Sequence, residues 1–278
     1  MRKWVAGLGI LISLIFLLII LSRVDVRGAM ENVRAVGWKN WVVGVGIYLC
    51  AFLPRGWRWK RMLPDPDRLP SGWLTKAVVV GFAANNILPL RLGEVVRSYL
   101  VGNRFNIPKM TCLASIVAEK ILDGLCLLAF LALCLPFIEL KVEFAARFQR
   151  MFFLASCLFG LAIIGCFAAA VWHETVSRLV EKRLPLRLAH LVKSGLDAAK
   201  IFKDWRSFIA ILALTILIWM LEAACFIFFS SRLGVTHPLP KGVFCLVVVN
   251  LSILIPSAPG YIGIFQAGAV ASFLALGM

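Results

Sequence analysis

Long apolar runs separated by short charged stretches follow one another along almost the whole chain. The first of them, Trp4 to Leu21, holds 18 residues without a formal charge. Because an α-helix rises about 1.5 Å per residue, a run of this length nearly crosses a hydrocarbon core of about 30 Å. The pattern therefore predicts a bundle of membrane-crossing helices. Its apolar segments lie at residues 4–22, 41–54, 74–90, 92–102, 111–138, 151–172, 208–230, 242–256 and 261–277.

Four of these segments are short or interrupted by polar residues, and they fall into two pairs. Residues 74–90 and 92–102 form the first pair, and residues 242–256 and 261–277 form the second. Each pair predicts a helical hairpin with a break at its tip. The other five segments predict ordinary spans. We interpret the first of these as a retained helix, because its apolar run is longer than that of a signal peptide and no small-residue cleavage site follows it.

Lysine and arginine are distributed unevenly between the connections, which predicts the orientation of the chain. With the N-terminus inside, the inner connections, including 55–68 and 173–207, hold about twice as many Lys and Arg residues as the outer ones. Keeping both connections inside requires the 74–102 hairpin to enter and leave through one face. The 242–277 hairpin then enters from the opposite face. Re-entrant hairpins of opposite orientation are typical of inverted-repeat transporters, and pairs of short full spans are the alternative.

Composition supports a membrane protein and excludes other classes. Hydrophobic residues make up 61% of the chain and charged residues 16%, with a mean hydropathy of +0.90, whereas soluble domains are about 25% charged. The net charge of +16 lies in short connections and not in one patch, so we expect no nucleic-acid partner. In residues 173–207 the basic residues recur at helical spacing, which predicts an amphipathic helix on the inner leaflet.

The eight cysteines are scattered through or beside the apolar runs, without a CxxC pair, and the three histidines lie far apart. This pattern is typical of small apolar-facing side chains and not of a disulfide framework or a metal site. We therefore expect neither a metal nor a cofactor.

Polar residues concentrate at the break of the first hairpin. Charged groups are costly at membrane depth, so they persist where they pair or line a wet cavity. Glu94 and Arg97 are three residues apart and can pair on one helical face, which leaves Arg91 as a spare cation suited to a phosphate group. A structural ion network at the membrane interface is the alternative. The candidate substrate-binding residues here are Asn85, Asn86, Arg91, Glu94 and Arg97.

Two carboxylates share one face of the 111–138 span. Glu119 and Asp123 are four residues apart, and two buried carboxylates require cations, for which Arg91 and Arg97 are the expected partners. Paired carboxylates also suit acid–base chemistry, but no nucleophile or metal motif accompanies them. Glu222 stands alone in the 208–230 span and is a weaker candidate for pairing with an arginine of the first hairpin.

The second hairpin is interrupted by prolines and glycines between Asn250 and Gln266. These residues end one helix and begin another, whose free N–H groups and positive dipole end are predicted to face inward and to favour an anion. A kinked surface loop is the alternative. The candidate substrate-binding residues here are Asn250, Ser257, Gly260 and Gln266.

Together these motifs resemble the lysylphosphatidylglycerol synthase transmembrane-region family of flippase-like membrane domains. The resemblance rests on Asn86 to Pro89, Arg91 to Arg97, Glu119-Lys120-x-x-Asp123 and Pro256 to Gly263. It implies a bacterial-type inner-membrane protein that binds or translocates a lipid, in some members coupled to a soluble aminoacyl-transferase domain. The sequence departs from the pattern in three places. Lys120 stands where arginine is commoner, Gln266 stands where glutamate often follows the glycine turn, and the chain ends at Met278 before a further expected helix.

The resulting expectation is an all-α polytopic integral membrane bundle with two re-entrant or broken helical hairpins, forming one flippase-like domain over residues 1–278. We expect a lipid flippase or lipid-binding transporter in the inner membrane, with a cytoplasmic N-terminus and no enzymatic activity of its own. Its ligand is expected to be an anionic phospholipid or a polyprenyl-phosphate lipid, and its protein partner a second copy or a lipid-modifying enzyme. The alternatives are an integral-membrane transferase that uses a lipid-linked substrate and a non-transporting scaffold.

Overall fold

The computed structural model describes residues 26–88, 92–172, 177, 204–253, 259–261 and 263–278, and this part of the chain is helical without strands. The predicted all-α class is therefore confirmed. The predicted first span at 4–22 lies outside the described residues, and so does most of the predicted amphipathic helix within 173–207.

Ten α-helices make up the described part of the chain, and three short 3₁₀ segments accompany them. The helices are α1 (Val26–Val36), α2 (Trp38–Cys50), α3 (Phe52–Met62), α4 (Ser71–Ile87), α5 (Gly93–Phe105), α6 (Lys109–Cys134), α7 (Val142–Val171), α8 (Trp205–Arg232), α9 (Pro238–Ser252) and α10 (Ile264–Ala275). The 3₁₀ segments are Pro66–Arg68, Leu135–Phe137 and Pro259–Tyr261.

Three stretches of helix are long and apolar enough to cross a membrane. They are Lys109–Phe137 with 29 residues, Phe144–Cys166 with 23 and Trp205–Arg232 with 28. They lie in α6, α7 and α8, and they confirm three of the predicted ordinary spans.

The predicted span over 41–54 is wrong in its end point. Helix α2 ends at Cys50, the chain bends at Ala51, and α3 continues to Met62. Pro54 explains the bend, because it has no N–H for the carbonyl four residues earlier, yet it is tolerated in the first turn of α3. The charged stretch that follows is therefore a helix and not the loop that its composition suggested.

Both predicted hairpins are present as pairs of short helices. Helices α4 and α5 have 17 and 13 residues, and α9 and α10 have 15 and 12. At about 1.5 Å per residue each is shorter than a hydrocarbon core of about 30 Å. The broken hairpins are thus confirmed, while their re-entrant placement in the membrane stays a prediction.

The two hairpins open toward opposite ends of the bundle. The segments before α4 and after α5, 64–69 and 105–108, lie together around a cavity of about 460 Å³ at the end where α6 begins. At the other end of α6, the backbone N–H of Lys141 donates to the carbonyl oxygen of Ala275, the last residue of α10, at 3.1 Å. This arrangement agrees with the opposite entry faces that the loop charges predicted.

Helix α6 lies at the centre and contributes to two apolar clusters. One includes Trp59, Leu74 and Ile116 and involves α3 to α6 together with α8. The other includes Leu131 and Phe244 and involves α6, α8, α9 and α10. Buried cysteines occur in both clusters, which agrees with their interpretation as small apolar-facing residues.

Candidate functional site

A cavity of about 450 Å³ lies where the two hairpins meet α6 and α8. Its polar lining includes six of the residues predicted from sequence: Asn85, Asn86, Glu94, Glu119, Asp123 and Asn250. Aromatic side chains line much of the rest, among them Tyr48, Phe52, Phe82, Phe159, Phe226 and Phe265. An apolar and aromatic cavity with a few convergent polar groups is typical of a small-molecule site, and here it suits an amphiphile.

Asp123 is held by a buried arginine that sequence reasoning did not assign to it. Nη1 of Arg58 donates to Oδ1 of Asp123 at 2.5 Å, and Nη2 donates to Oδ2 at 3.2 Å. The indole N–H of Trp219 donates to the same carboxylate at 3.0 Å, and Arg58 also donates to the Thr215 hydroxyl at 3.0 Å. Arg58 has no exposed surface. Arg97 is therefore not the partner of Asp123, and the other expected partner, Arg91, lies outside the described residues.

Glu119 pairs with two arginines, one of which was predicted. Arg97 donates from Nη2 to Oε2 of Glu119 at 2.8 Å, and Nη2 of Arg58 lies 3.2 Å from Oε1. The Arg97 guanidinium also stacks over the Trp59 ring at 4.1 Å. The predicted pairing of Glu119 with Arg97 is confirmed.

The predicted pair between Glu94 and Arg97 does not form. Arg97 is 4% exposed and turned toward α6, where it pairs with Glu119. Glu94 faces α4 instead, where its carboxylate accepts a weak hydrogen bond of 3.5 Å from the Asn85 amide. Favourable placement at the positive end of the α5 dipole also stabilises Glu94.

Glu222 forms a buried ion pair with Arg55 of α3. Of the first hairpin's arginines, which were its expected partners, Arg97 pairs with Glu119 and Arg91 lies outside the described residues. The Arg55 guanidinium carbon lies 5.5 Å from the Phe52 ring centroid and 5.1 Å from that of Phe82. Both members of the pair line the cavity.

Three arginines thus oppose three carboxylates, so the buried network is neutral as a set. It joins α3, α5, α6 and α8. Arg55 and Arg58 were assigned to a solvent-exposed loop on composition alone. Their i,i+3 spacing, interleaved with Phe52, Trp59 and Met62 on one helical face, was the signal that could have placed them inside.

At the first hairpin, the predicted residues divide between structural and cavity positions. The side-chain oxygen of Asn85 accepts the Gly93 N–H at 2.8 Å and so caps α5. Asn86 is exposed and lines the cavity. Arg91 lies outside the described residues.

At the second hairpin, Asn250 lines the cavity and donates to a backbone carbonyl one turn earlier at 2.9 Å. The side-chain oxygen of Gln266 accepts the Gly263 N–H at 2.7 Å, so one predicted anion donor at the start of α10 is already occupied. Gly260 has φ +72°, which favours glycine. Gly260 and Gln266 do not line the cavity, and Ser257 lies outside the described residues.

Among the described residues, no group of three or more His, Cys, Asp or Glu side chains is placed to hold a metal ion.

Comparison with known proteins identifies the family. The sequence profile of the lysylphosphatidylglycerol synthase TM region matches residues 4–278. The chain belongs to this family. It is also 23% identical over 277 residues to a UPF0104 membrane protein of Methanothermobacter thermautotrophicus, covering 94% of this chain and 82% of that protein. The family assignment confirms the resemblance found in the sequence and, with the long apolar helices, a multi-pass membrane protein.

A second similarity is local. Over 78 residues the chain is 35% identical to glycosyltransferase AglD of Haloferax volcanii. The matched region covers 28% of this chain and 12% of that protein. No solved structure matches the chain.

Proposed function

We propose that this protein binds a membrane lipid with an anionic, phosphate-bearing headgroup in the central cavity and moves it between the leaflets. The observation that carries this proposal is the cavity of about 450 Å³, which both hairpins line inside a multi-pass bundle. Its polar residues suit a headgroup and its aromatic residues suit the start of acyl chains. The family description, which refers to the synthase of a phospholipid derivative, supports a lipid ligand.

The hairpins suggest how a lipid passes through. Because they open toward opposite ends of the bundle, movement of one hairpin exposes the cavity to one leaflet and movement of the other exposes it to the opposite leaflet. We also propose that the N-terminus lies in the cytoplasm, on the basis of the basic residues in the inner connections, and that the protein lies in the inner membrane, as the family resemblance implies.

We further propose that the chain carries out no bond chemistry. Glu119 and Asp123 are the residues best placed for acid–base work, but each is held in ion pairs with buried arginines. Their geometry suits positioning of the network, and Arg97 has the same role instead of the direct headgroup contact expected from sequence.

The local similarity to a glycosyltransferase favours one second candidate, a transferase acting on a lipid-linked substrate. Such an enzyme requires a metal or a nucleotide-linked donor, so turnover of a lipid-linked sugar that stops on adding a chelator supports it.

A scaffold without transport, by contrast, tolerates loss of the buried charges while it retains partner binding.

A translocation assay with a blocked cavity tests the proposal. The full chain is reconstituted in liposomes with fluorescent phosphatidylglycerol, and its movement is followed by quenching of the outer leaflet with dithionite. Ala83 lines the cavity, so Ala83→Trp fills space that the lipid needs and is expected to slow translocation roughly tenfold or more. Leu161→Trp, on a side chain that is 69% exposed on α7, is the matched control and retains the wild-type rate.

Two results contradict the proposal. In one, wild-type liposomes translocate the lipid no faster than liposomes without protein. In the other, Ala83→Trp and Leu161→Trp behave alike.

A further inference from the structure

The three buried arginines differ in how their terminal nitrogens are used. Arg58 donates from both Nη atoms to Asp123, and Arg97 donates from both to Glu119. Nη2 of Arg55 pairs with Glu222, whereas its Nη1 is buried and has no hydrogen-bond partner among the described residues. The Nε atoms of Arg58 and Arg97 also lack a partner there, but neither of these side chains lines the central cavity. A buried charged donor without a partner is costly. A ligand that supplies an acceptor at this nitrogen is therefore favoured.

Arg55 also differs in position. Its side chain lines the central cavity, and Arg58 and Arg97 are absent from that lining in the described part of the chain. With 5% of its surface exposed, Arg55 lies at the boundary between the ion network and the cavity.

Aromatic rings restrict how a ligand can approach the Arg55 guanidinium. The ring centroids of Phe52 and Phe82 lie 5.5 Å and 5.1 Å from its central carbon. Stacking on these rings orients the guanidinium and keeps it weakly hydrated. Lys120, whose Nζ lies 5.8 Å from the same Phe82 ring, also lines the cavity and forms no ion pair with a described residue. The corner around Phe82 therefore carries two basic groups and only one of them is paired.

We propose that Arg55 is the oxyanion-binding residue of the cavity, with its free Nη1 donating to a phosphate oxygen and Lys120 adding positive charge. This assignment rests on the proposed function and specifies the group that recognises the headgroup. Because Nη1 is buried, the guanidinium edge turns toward the cavity to meet the ligand, and that turn breaks no hydrogen bond of Nη1 among the described residues. Glu222 orients Arg55 and balances the charge of its guanidinium before the ligand binds.

Binding by the full chain in detergent tests the assignment with three probes. Native mass spectrometry measures phosphatidylglycerol and diacylglycerol, which differ by the phosphate-bearing headgroup, and calorimetry measures inorganic phosphate. The variants are the double substitution Arg55→Gln with Glu222→Gln, which leaves no unpaired buried charge, and Arg55→Lys, which keeps the charge for Glu222 but has only one terminal nitrogen. Arg61→Gln, on the exposed side of α3, is the control, and the melting temperature of each variant reports its folding.

The expected result is that phosphatidylglycerol binds both Arg55 variants roughly tenfold to a hundredfold more weakly than wild type. Diacylglycerol binding stays the same in all proteins, and Arg61→Gln matches wild type. If phosphate alone binds and depends on Arg55, while phosphatidylglycerol binds no better than diacylglycerol, the residue assignment stands and the proposed lipid function fails.

Unchanged phosphatidylglycerol binding in folded Arg55 variants overturns the assignment and leaves lipid binding intact. If wild type binds neither phosphatidylglycerol nor phosphate, both the assignment and the proposed function are overturned.

Discussion

At the scale of single residues, the protein is organised by charges that lie inside an apolar bundle. Arg58 has no exposed surface, yet it contacts two carboxylates and the Thr215 hydroxyl. A buried ion pair gains little over an apolar pair of the same shape, but loss of one partner leaves the other charge buried and unpaired. The network therefore specifies which faces of α3, α5, α6 and α8 meet.

Arg58→Met is expected to destabilise the protein by about 3–5 kcal/mol, because Asp123 loses its ion-pair partner while it remains buried. Arg61→Met removes the same charge from an exposed position on the same helix and is expected to change stability by less than about 0.5 kcal/mol. Unfolding of both variants in detergent, followed by tryptophan fluorescence, measures the difference. Equal stability of the two variants would show that the network does not hold the helices together.

Sequence reasoning found the carboxylates of this network but only one of their partners. An acidic residue in an apolar span is conspicuous, so Glu119, Asp123 and Glu222 were recognised. Arg55 and Arg58 lie in a stretch rich in basic residues after Pro54, which has the composition of a loop. The partner of a buried charge depends on which helices pack together, and that information is not local in sequence.

At the scale of helices, the first hairpin depends on close backbone contact. A Cβ atom at Gly93 would overlap the carbonyl oxygen of Gly81 and the side chain of Asn85. Gly93→Ala is therefore expected to cost about 1–3 kcal/mol through overpacking. Gly46→Ala in α2, where a Cβ meets nothing within 4 Å, is expected to stabilise its helix by about 0.5–1 kcal/mol. Thermal unfolding of the two variants measures these opposite effects, and a shift of the same sign in both would contradict the tight hairpin.

The second hairpin depends on the cap that Gln266 provides. Gln266→Ala removes the acceptor for the Gly263 N–H and is expected to cost about 1 kcal/mol, a loss typical of a helix cap. Gln266→Glu keeps the acceptor and adds a negative charge at the helix N-terminus, worth about 0.3–1 kcal/mol. Hydrogen exchange at the start of α10 is expected to be faster in Gln266→Ala than in Gln266→Glu. Gln149→Ala, on an exposed face of α7, is the control. Faster exchange in Gln266→Glu than in Gln266→Ala would remove the capping role.

At the scale of the whole molecule, the arrangement of the hairpins was predictable because it depends on sums over many residues. Arg55 and Arg58 were counted as loop charges and are buried in a helix, but the remaining basic residues preserve the asymmetry between the two ends. Helix breaks at Pro and Gly likewise located both hairpins. The cavity between them was not predictable, because side chains from nine helices, α2 to α10, form it together.

Re-entrance of the first hairpin can be distinguished from a pair of full spans by labelling single cysteines in a cysteine-free background. Asp67 and Arg104 are exposed near the open end of this hairpin, and Thr236 is exposed at the opposite end of the bundle. Cysteines at Asp67 and Arg104 are expected to react with a membrane-impermeant maleimide added from the cytoplasmic face, and a cysteine at Thr236 from the outer face.

Ile87, which is 74% exposed at the tip, decides between the two arrangements. Because α4 is too short to cross about 30 Å of hydrocarbon, a cysteine at Ile87 should remain unlabelled from the outer face. Labelling of this cysteine together with Thr236 would instead show that the tip reaches the outer surface and that the hairpin consists of two full spans.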